Sequence, residues 1–160
     1  MNVSDNELHI RCIQPSDERA YFDIYSHPEV CRYDDFEPIG RDEMPEIMNR
    51  ILQYKDDSLN IEYAVAKMPD DLMIGILTLD KKRKYCYLGY HFNPLYHGKG
   101  YAIRSVKLLL ANLSTDNIKF LRVVVDPDNE ASIKLALKAG FVKEKRRIVK
   151  GVKEIVYKLA

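Results

Sequence analysis

The chain is 160 residues long, 46% hydrophobic and 31% charged, with a net charge of +1. That length suits a single domain over residues 1–160 with a full core, and the balanced charge excludes capture of nucleic acid or of an anionic membrane as its organising function. Three cysteines, Cys12, Cys31 and Cys86, form no CxxC pair, which argues against a disulfide framework or a cysteine zinc site and for a reducing, cytoplasmic setting. The start, MNVSDNELHIRC, has no basic region followed by an apolar leader, and no apolar run approaches the roughly 18 residues of a membrane span.

In chain order, LHIRCI (8–13) reads as a strand. PSDERAYFDIYSHP (15–28) reads as a helix capped by Ser16, with Asp17 and Glu18 at its positive end, Tyr21, Ile24 and Tyr25 on one face, and Pro28 as its stop. RDEMPEIMNRILQY (41–54) places Met44, Ile47, Met48, Ile51 and Leu52 at helical spacing, with Pro45 in the first turn. The period then changes. Three β-branched or aromatic runs at 61–68, 72–80 and 84–92, with short polar connections, predict an antiparallel meander.

YAIRSVKLLLANL (101–113) returns to helical spacing, and FLRVVV (120–125) is apolar enough for a central strand. DNEASIKLALKAG (128–140) is a helix with Asp128 or Asn129 at the cap and Gly140 beyond its end. Two closing runs around Gly151 predict a hairpin. The order is β-α-α-β-β-β-α-β-α-β-β. This is an α+β (mixed α/β) architecture, a central and mostly antiparallel sheet of about seven strands flanked by about four helices.

The stretch NPLYHGKGYAIR (93–104) sets Gly98 and Gly100 between a strand and a helix. Glycines there let free N–H groups converge on an anion at a helix N-terminus. The same residues also suit a tight turn that holds nothing. A P-loop needs Gly-Lys-Ser/Thr, and Gly100 is followed by Tyr101 and Ala102. A dinucleotide fingerprint needs a small third position where Ile103 stands, and a parallel βαβ start in place of a meander. A coenzyme A pyrophosphate turn has neither requirement.

The turn resembles the core motif of the GNAT superfamily of acyl-CoA-dependent N-acyltransferases, Q/R-x-x-G-x-G/A. Gly100 and Ala102 match it, and His97 replaces the usual Gln or Arg. VDPDNEASIKLALKAGF carries Asn129, Ser132, Gly140 and Phe141 in the N-x-x-S…G-F pattern of the branch containing ribosomal-protein-alanine N-acetyltransferases, and LHIRCIQPSDERAYFDIYSHPEVCRY resembles that branch's opening. The resemblance spans essentially the whole chain. It implies the GNAT fold, with the strands at 84–92 and 120–125 splayed apart, and acetyl-CoA as co-substrate with no metal. Backbone of His97, Gly98, Lys99, Gly100, Tyr101 and Ala102 would hold the pyrophosphate. The pantetheine arm would lie along Tyr90, Phe92 and Asn93, with its amides oriented by Asn129.

The resemblance also implies direct attack by the acceptor amine on the thioester. Ser132 would serve the departing thiolate, although a first-turn serine also simply satisfies a helix end. Many relatives carry a strand glutamate as base where this chain has Tyr87. His91 is the base candidate, since an imidazole exchanges protons near neutral pH, Glu62 another, and a water relay a third. YAIRS stands where the family often has YATEA.

The acceptor site would come from 25–40, where Tyr25, Tyr33 and Phe36 with Asp34, Asp35 and Glu37 offer aromatic and acidic contacts to a cation; a solvated acidic loop is the plainer alternative. The basic hairpin after Gly140 reads as a solvated strand face, and Cys86 as a strand residue. The expectation is a monomeric or homodimeric N-acetyltransferase acting on a peptide or small-molecule amine, with no membrane or nucleic-acid partner. Its rival is a non-catalytic acyl-CoA sensor or docking module.

Overall fold

A computed structural model describes residues 1–160. One eight-stranded sheet runs in the order β1-β2-β3-β4-β5-β6-β8-β7. Its strands are β1 (Val3–Ser4), β2 (Leu8–Cys12), β3 (Asn60–Lys67), β4 (Leu72–Lys81), β5 (Cys86–Phe92), β6 (Leu121–Val125), β7 (Phe141–Val149) and β8 (Val152–Leu159). The helices are α1 (Glu18–Tyr25), α2 (Pro28–Cys31), α3 (Met44–Ile51), α4 (Tyr101–Ala111), α5 (Thr115–Lys119) and α6 (Glu130–Lys138). The expected meander is β3-β4-β5, and every neighbouring pair is antiparallel except β5 with β6. That parallel pair matches only Cys86 with Leu121 and Tyr87 with Arg122. Beyond those two positions the strands part, as the resemblance implied.

Both faces of the sheet are covered, and that explains the side-chain pattern. On one face Val106 and Leu109 of α4 and Ala136 of α6 share a core with Leu88, Phe92, Val123, Val125 and Tyr157. On the other, Tyr21, Ile24 and Tyr25 of α1 and Met44, Met48 and Ile51 of α3 pack with Ala64, Met73 and Ile76. Alternation along β5 thus sends Leu88 and Phe92 to the first face and His91 to the second.

The boundaries differ from expectation where short-range geometry intervenes. A 3-10 turn at Pro15–Asp17 precedes α1, and Ser16 does not cap it; the Asp17 carboxylate accepts the Gln14 N–H at 2.8 Å instead. Pro28 does not end a helix but begins α2, at a position where its missing N–H costs nothing. Leu52 follows the helical spacing yet is 43% exposed, because α3 ends at Ile51. Strand β1 and helix α5 lie outside the expected elements. At two and five residues they are too short to show a period.

Asp17 has a larger task than capping. Arg11 of β2 is 5% exposed and forks onto both Asp17 oxygens at 2.7 and 3.0 Å, while its Nε–H donates to Asp71 at 3.0 Å. This ties the start of α1 to β2 and to the β3–β4 turn. Removing one partner of such a buried pair strands the other charge. Asp17→Asn is therefore expected to destabilise the protein by about 3 kcal/mol, read as a lower urea midpoint with an unchanged m-value.

Candidate active site

Four elements meet where β5 and β6 part. The first is the turn into α4. Gly98 and Gly100 have φ of +74° and +81°, and a Cβ on either would meet nothing within 4 Å. Glycine is required there by the left-handed backbone and not by crowding. The N–H groups of Gly98, Lys99 and Gly100 donate to no protein acceptor, and those of Tyr101, Ala102 and Ile103 open an 11-residue helix, where no intrahelical partner exists. Six consecutive donors thus gather at the positive end of a helix dipole. The Tyr101 ring itself is buried, packed against Tyr96 at 6.3 Å.

His97 does not join that row. Its N–H donates to the Pro94 carbonyl at 3.1 Å. Its ring Nε2–H donates to the Phe92 carbonyl at 2.8 Å, so the side chain pins the end of β5. Asn93 is engaged in the same way: its N–H donates to Ile74 at 3.0 Å and its side-chain oxygen accepts the Leu95 N–H at 3.0 Å. The Phe92 ring lies in the core. These three residues shape the turn through internal bonds.

The second element is α6. Asn129 caps it, its oxygen accepting the Ser132 N–H at 3.1 Å. Ser132 Oγ lies 2.7 Å from the Tyr90 hydroxyl, which also reaches the Ser132 carbonyl at 3.2 Å. Tyr90 stands on β5, so this contact bridges the strand to α6 beside the gap. Burial pushes the Tyr90 phenol up to about 12, which keeps it protonated. Alternation along β5 sets the face of Tyr90, but its hydroxyl's partner lies 42 residues away in sequence.

The third and fourth elements are the loop after α2 and the β5 face it covers. His91 Nε2 is 2.9 Å from Asp34, Nδ1 is 3.2 Å from the Tyr25 hydroxyl, and the ring packs edge-on to Phe36 at 5.8 Å. Asp34 and Phe36 therefore do meet His91. Tyr33 and Asp35 do not: the Tyr33 ring lies under Arg32 at 5.2 Å, and Asp35 is exposed. Behind His91, Tyr21 donates its hydroxyl to Glu62 at 3.0 Å. Burial raises the Glu62 carboxyl above its ordinary range, against the hydrogen bond from Tyr21 and the attraction of Arg50 and His91. Burial likewise holds the Tyr25 phenol far above its usual value. Tyr87 shares the His91 face but sits against Arg147 of β7, 6.0 Å from its guanidinium.

The motifs had no means of revealing Tyr21 as a site residue, since it reads as the core face of an amphipathic helix, whereas Tyr25 reads both as that face and as an aromatic of the 25–40 segment. A cavity of about 1150 Å³, lined by Tyr63, Leu79, Cys86, Leu113 and Phe120, opens at the far end of β5 from the glycine turn. No cluster of His, Cys, Asp and Glu is arranged to hold a metal ion. A donor row at a helix start, a gap between parallel strands, a hydroxyl pair on one side and a histidine on the other suit a long ligand with a phosphate end and a reactive tip.

Comparison with known proteins agrees with that geometry. The family model described as acetyltransferase (GNAT) domain matches residues 7–142. The uncharacterized N-acetyltransferase YoaA of Bacillus subtilis (strain 168) is 27% identical over 152 residues, covering 89% of this chain and 83% of that protein. Among solved structures, the RimL ribosomal L7/L12 alpha-N-protein acetyltransferase in complex with coenzyme A superposes with a TM-score of 0.80 at 17% identity, over 98% of this chain and 96% of that one. Spermidine N-acetyltransferase from Vibrio cholerae, in complex with CoA and spermine, gives 0.74 at 19% identity, over 96% and 94%. The chain belongs to the GNAT family and is an acetyl-CoA-dependent N-acetyltransferase.

Proposed function

We propose that this acetyltransferase passes the acetyl group of acetyl-CoA directly to a cationic amine that docks beside Asp34 and His91. The observation that carries the reading is the donor row from Gly98 to Ile103 opening onto the gap between β5 and β6. In that reading the N–H groups of Gly98, Lys99, Gly100, Tyr101 and Ala102 hold the pyrophosphate, and the unpaired edge of β5 near Tyr90 receives the pantetheine amides. The Asn129 side-chain nitrogen takes no part in the cap, and in this reading it orients the same amides.

The thioester supplies an activated carbonyl carbon, and the chain's residues place an amine against it. As the nitrogen–carbon bond forms and the carbon–sulfur bond breaks, the Ser132 hydroxyl protonates the thiolate and is resupplied from the Tyr90 phenol 2.7 Å away. On the opposite face His91 takes a proton from the ammonium form of the acceptor. Asp34, with Asp35 and Glu37 in the same loop, favours a cation, and Phe36 and Tyr25 offer it aromatic faces. The two structural neighbours act, by their names, on a ribosomal protein and on spermidine. A peptide α-amine and a small polyvalent amine are the acceptor classes to screen first. The reading extends to a monomer or homodimer in a reducing cytoplasm, where the free Cys12, Cys31 and Cys86 thiols persist.

Isothermal titration with acetyl-CoA tests the coenzyme site. Wild type is expected to bind in the micromolar range. Gly100→Gln puts a side chain on a left-handed backbone at a cost of about 1–2 kcal/mol, stays folded by circular dichroism, and loses binding. A wild type that binds neither acetyl-CoA nor CoA overturns the reading. Steady-state kinetics tests the thiol side: Ser132→Ala is expected to lower kcat about 100-fold with KM for acetyl-CoA unchanged. Full retention of kcat would reduce Ser132 to a helix-end hydroxyl.

A further inference from the structure

The cavity of about 1150 Å³ at the far end of β5 takes no part in the coenzyme site, and its lining is largely apolar. Leu79, Leu121 and Tyr63 are buried members of the main core, and Leu113 and Cys86 are half-buried beside them. Phe120 also lines it, with 43% of its surface exposed. Backbone bonds fix the walls: the Cys86 N–H donates to the Phe120 carbonyl at 3.1 Å, and Cys86 pairs with Leu121 in the β5–β6 ladder. A ligand that enters a preformed space of this kind loses little free energy to ordering it.

The charged part of the lining is one-sided. Lys81 ends β4, and Lys82, Arg83 and Lys84 follow it in the turn to β5; all four line the cavity, with Asp56 as the one carboxylate among the lining residues. Asp56 is already engaged, since its Oδ1 accepts the Tyr63 hydroxyl at 2.7 Å and pairs with the Met1 amine. Lys81 donates to the Asp56 carbonyl at 3.2 Å, and Lys82 pairs with Asp80 at 2.9 Å. Arg83 and Lys84 are exposed and have no carboxylate partner; Lys84 lies over the Tyr85 ring at 5.2 Å. The N–H groups of Arg83, Lys84 and Tyr85 find no acceptor in the chain either. Apolar walls beside an uncompensated positive turn call for one anionic head on an apolar body. A multiply charged phosphate compound would lose hydration against Leu79, Leu113, Phe120 and Leu121 without replacing it. A carboxylate fits the planar fork of Arg83 and leaves the rest of the space to a hydrocarbon chain.

We propose that this cavity is a second ligand site, for an unesterified fatty carboxylate, with its chain against Leu79, Leu113, Phe120 and Leu121 and its head between Arg83 and Lys84. The site is separate from the coenzyme gap and does not depend on the acetyl-transfer reading.

The test follows alkylation of Cys86 by iodoacetamide, measured on its own peptide, with decanoate below its micelle threshold as the probe. Exposed Cys12, which does not line the cavity, is the internal reference. Burial raises the Cys86 thiol above its ordinary value, so the reaction is run at pH 9. Decanoate at about ten times its Kd is expected to slow Cys86 about tenfold by mass action and to leave Cys12 unchanged. Decyltrimethylammonium, with the same chain and the opposite charge, and inorganic phosphate, with no chain, should both leave Cys86 unprotected. Arg83→Glu combined with Lys84→Glu changes only an exposed turn, and it should abolish protection by decanoate. The proposal is overturned if decanoate does not protect wild type, if the two amphiphiles protect equally, or if decanoate still protects the double variant. Cys86 reactivity that falls as protein concentration rises, with no probe added, would show a second copy over the cavity and would overturn it too.

Discussion

Everything at the site depends on the shortness of one ladder. Strands β5 and β6 pair at two positions and then separate, although β5 continues to Phe92 and β6 to Val125. Paired to their ends, they would close the sheet and leave the α4 turn facing a wall of strands. Parted, they leave strand edge unpaired, and unpaired backbone N–H and C=O groups are strong claims on a partner. A ligand arm with amides of its own is the chemistry that answers them.

The sheet also separates the chemistry into two sides. Because side chains alternate along β5, Tyr90 and His91 are neighbours in sequence but point to opposite faces. Tyr90 reaches α6 and Ser132 on the face of α4 and α6; His91 reaches α1 and the 32–40 loop on the other. A leaving group and an incoming nucleophile can therefore be served by different proton carriers, each with its own environment. The Tyr90 phenol is kept protonated by burial, and the His91 ring is set between a surface carboxylate and a buried network.

Much of this was legible from residue order. The glycine turn, the meander, α4, α6 and the closing hairpin follow from period and punctuation, and the resemblance carried by Gly100, Ala102, Asn129 and Ser132 led to the family. Less legible were the partners. His97 and Asn93, placed on the ligand by the motif, make their bonds to Phe92 and Leu95 and build the turn. Of the residues named in the 25–40 segment, Tyr25, Asp34 and Phe36 meet His91 while Tyr33 and Asp35 do not, a choice that a loop without regular period cannot show in advance.

The sequence alone determined the longer elements, their order and the glycine turn, because these rest on local terms: side-chain period, helix caps and the φ that only glycine adopts freely. Tertiary structure decided what Tyr21, Tyr25, Glu62 and Tyr90 are for. In sequence Tyr21 is one more residue of an apolar helix face, while Tyr25, Glu62 and Tyr90 carry candidate roles without partners. In space Tyr21 stands against Glu62, Tyr25 against His91 and Tyr90 against Ser132, contacts made across 41, 66 and 42 residues. Hydrogen-bond chemistry of that kind depends on which polar atoms the packing of helices on the sheet brings within about 3 Å, and no periodicity along the chain encodes that distance.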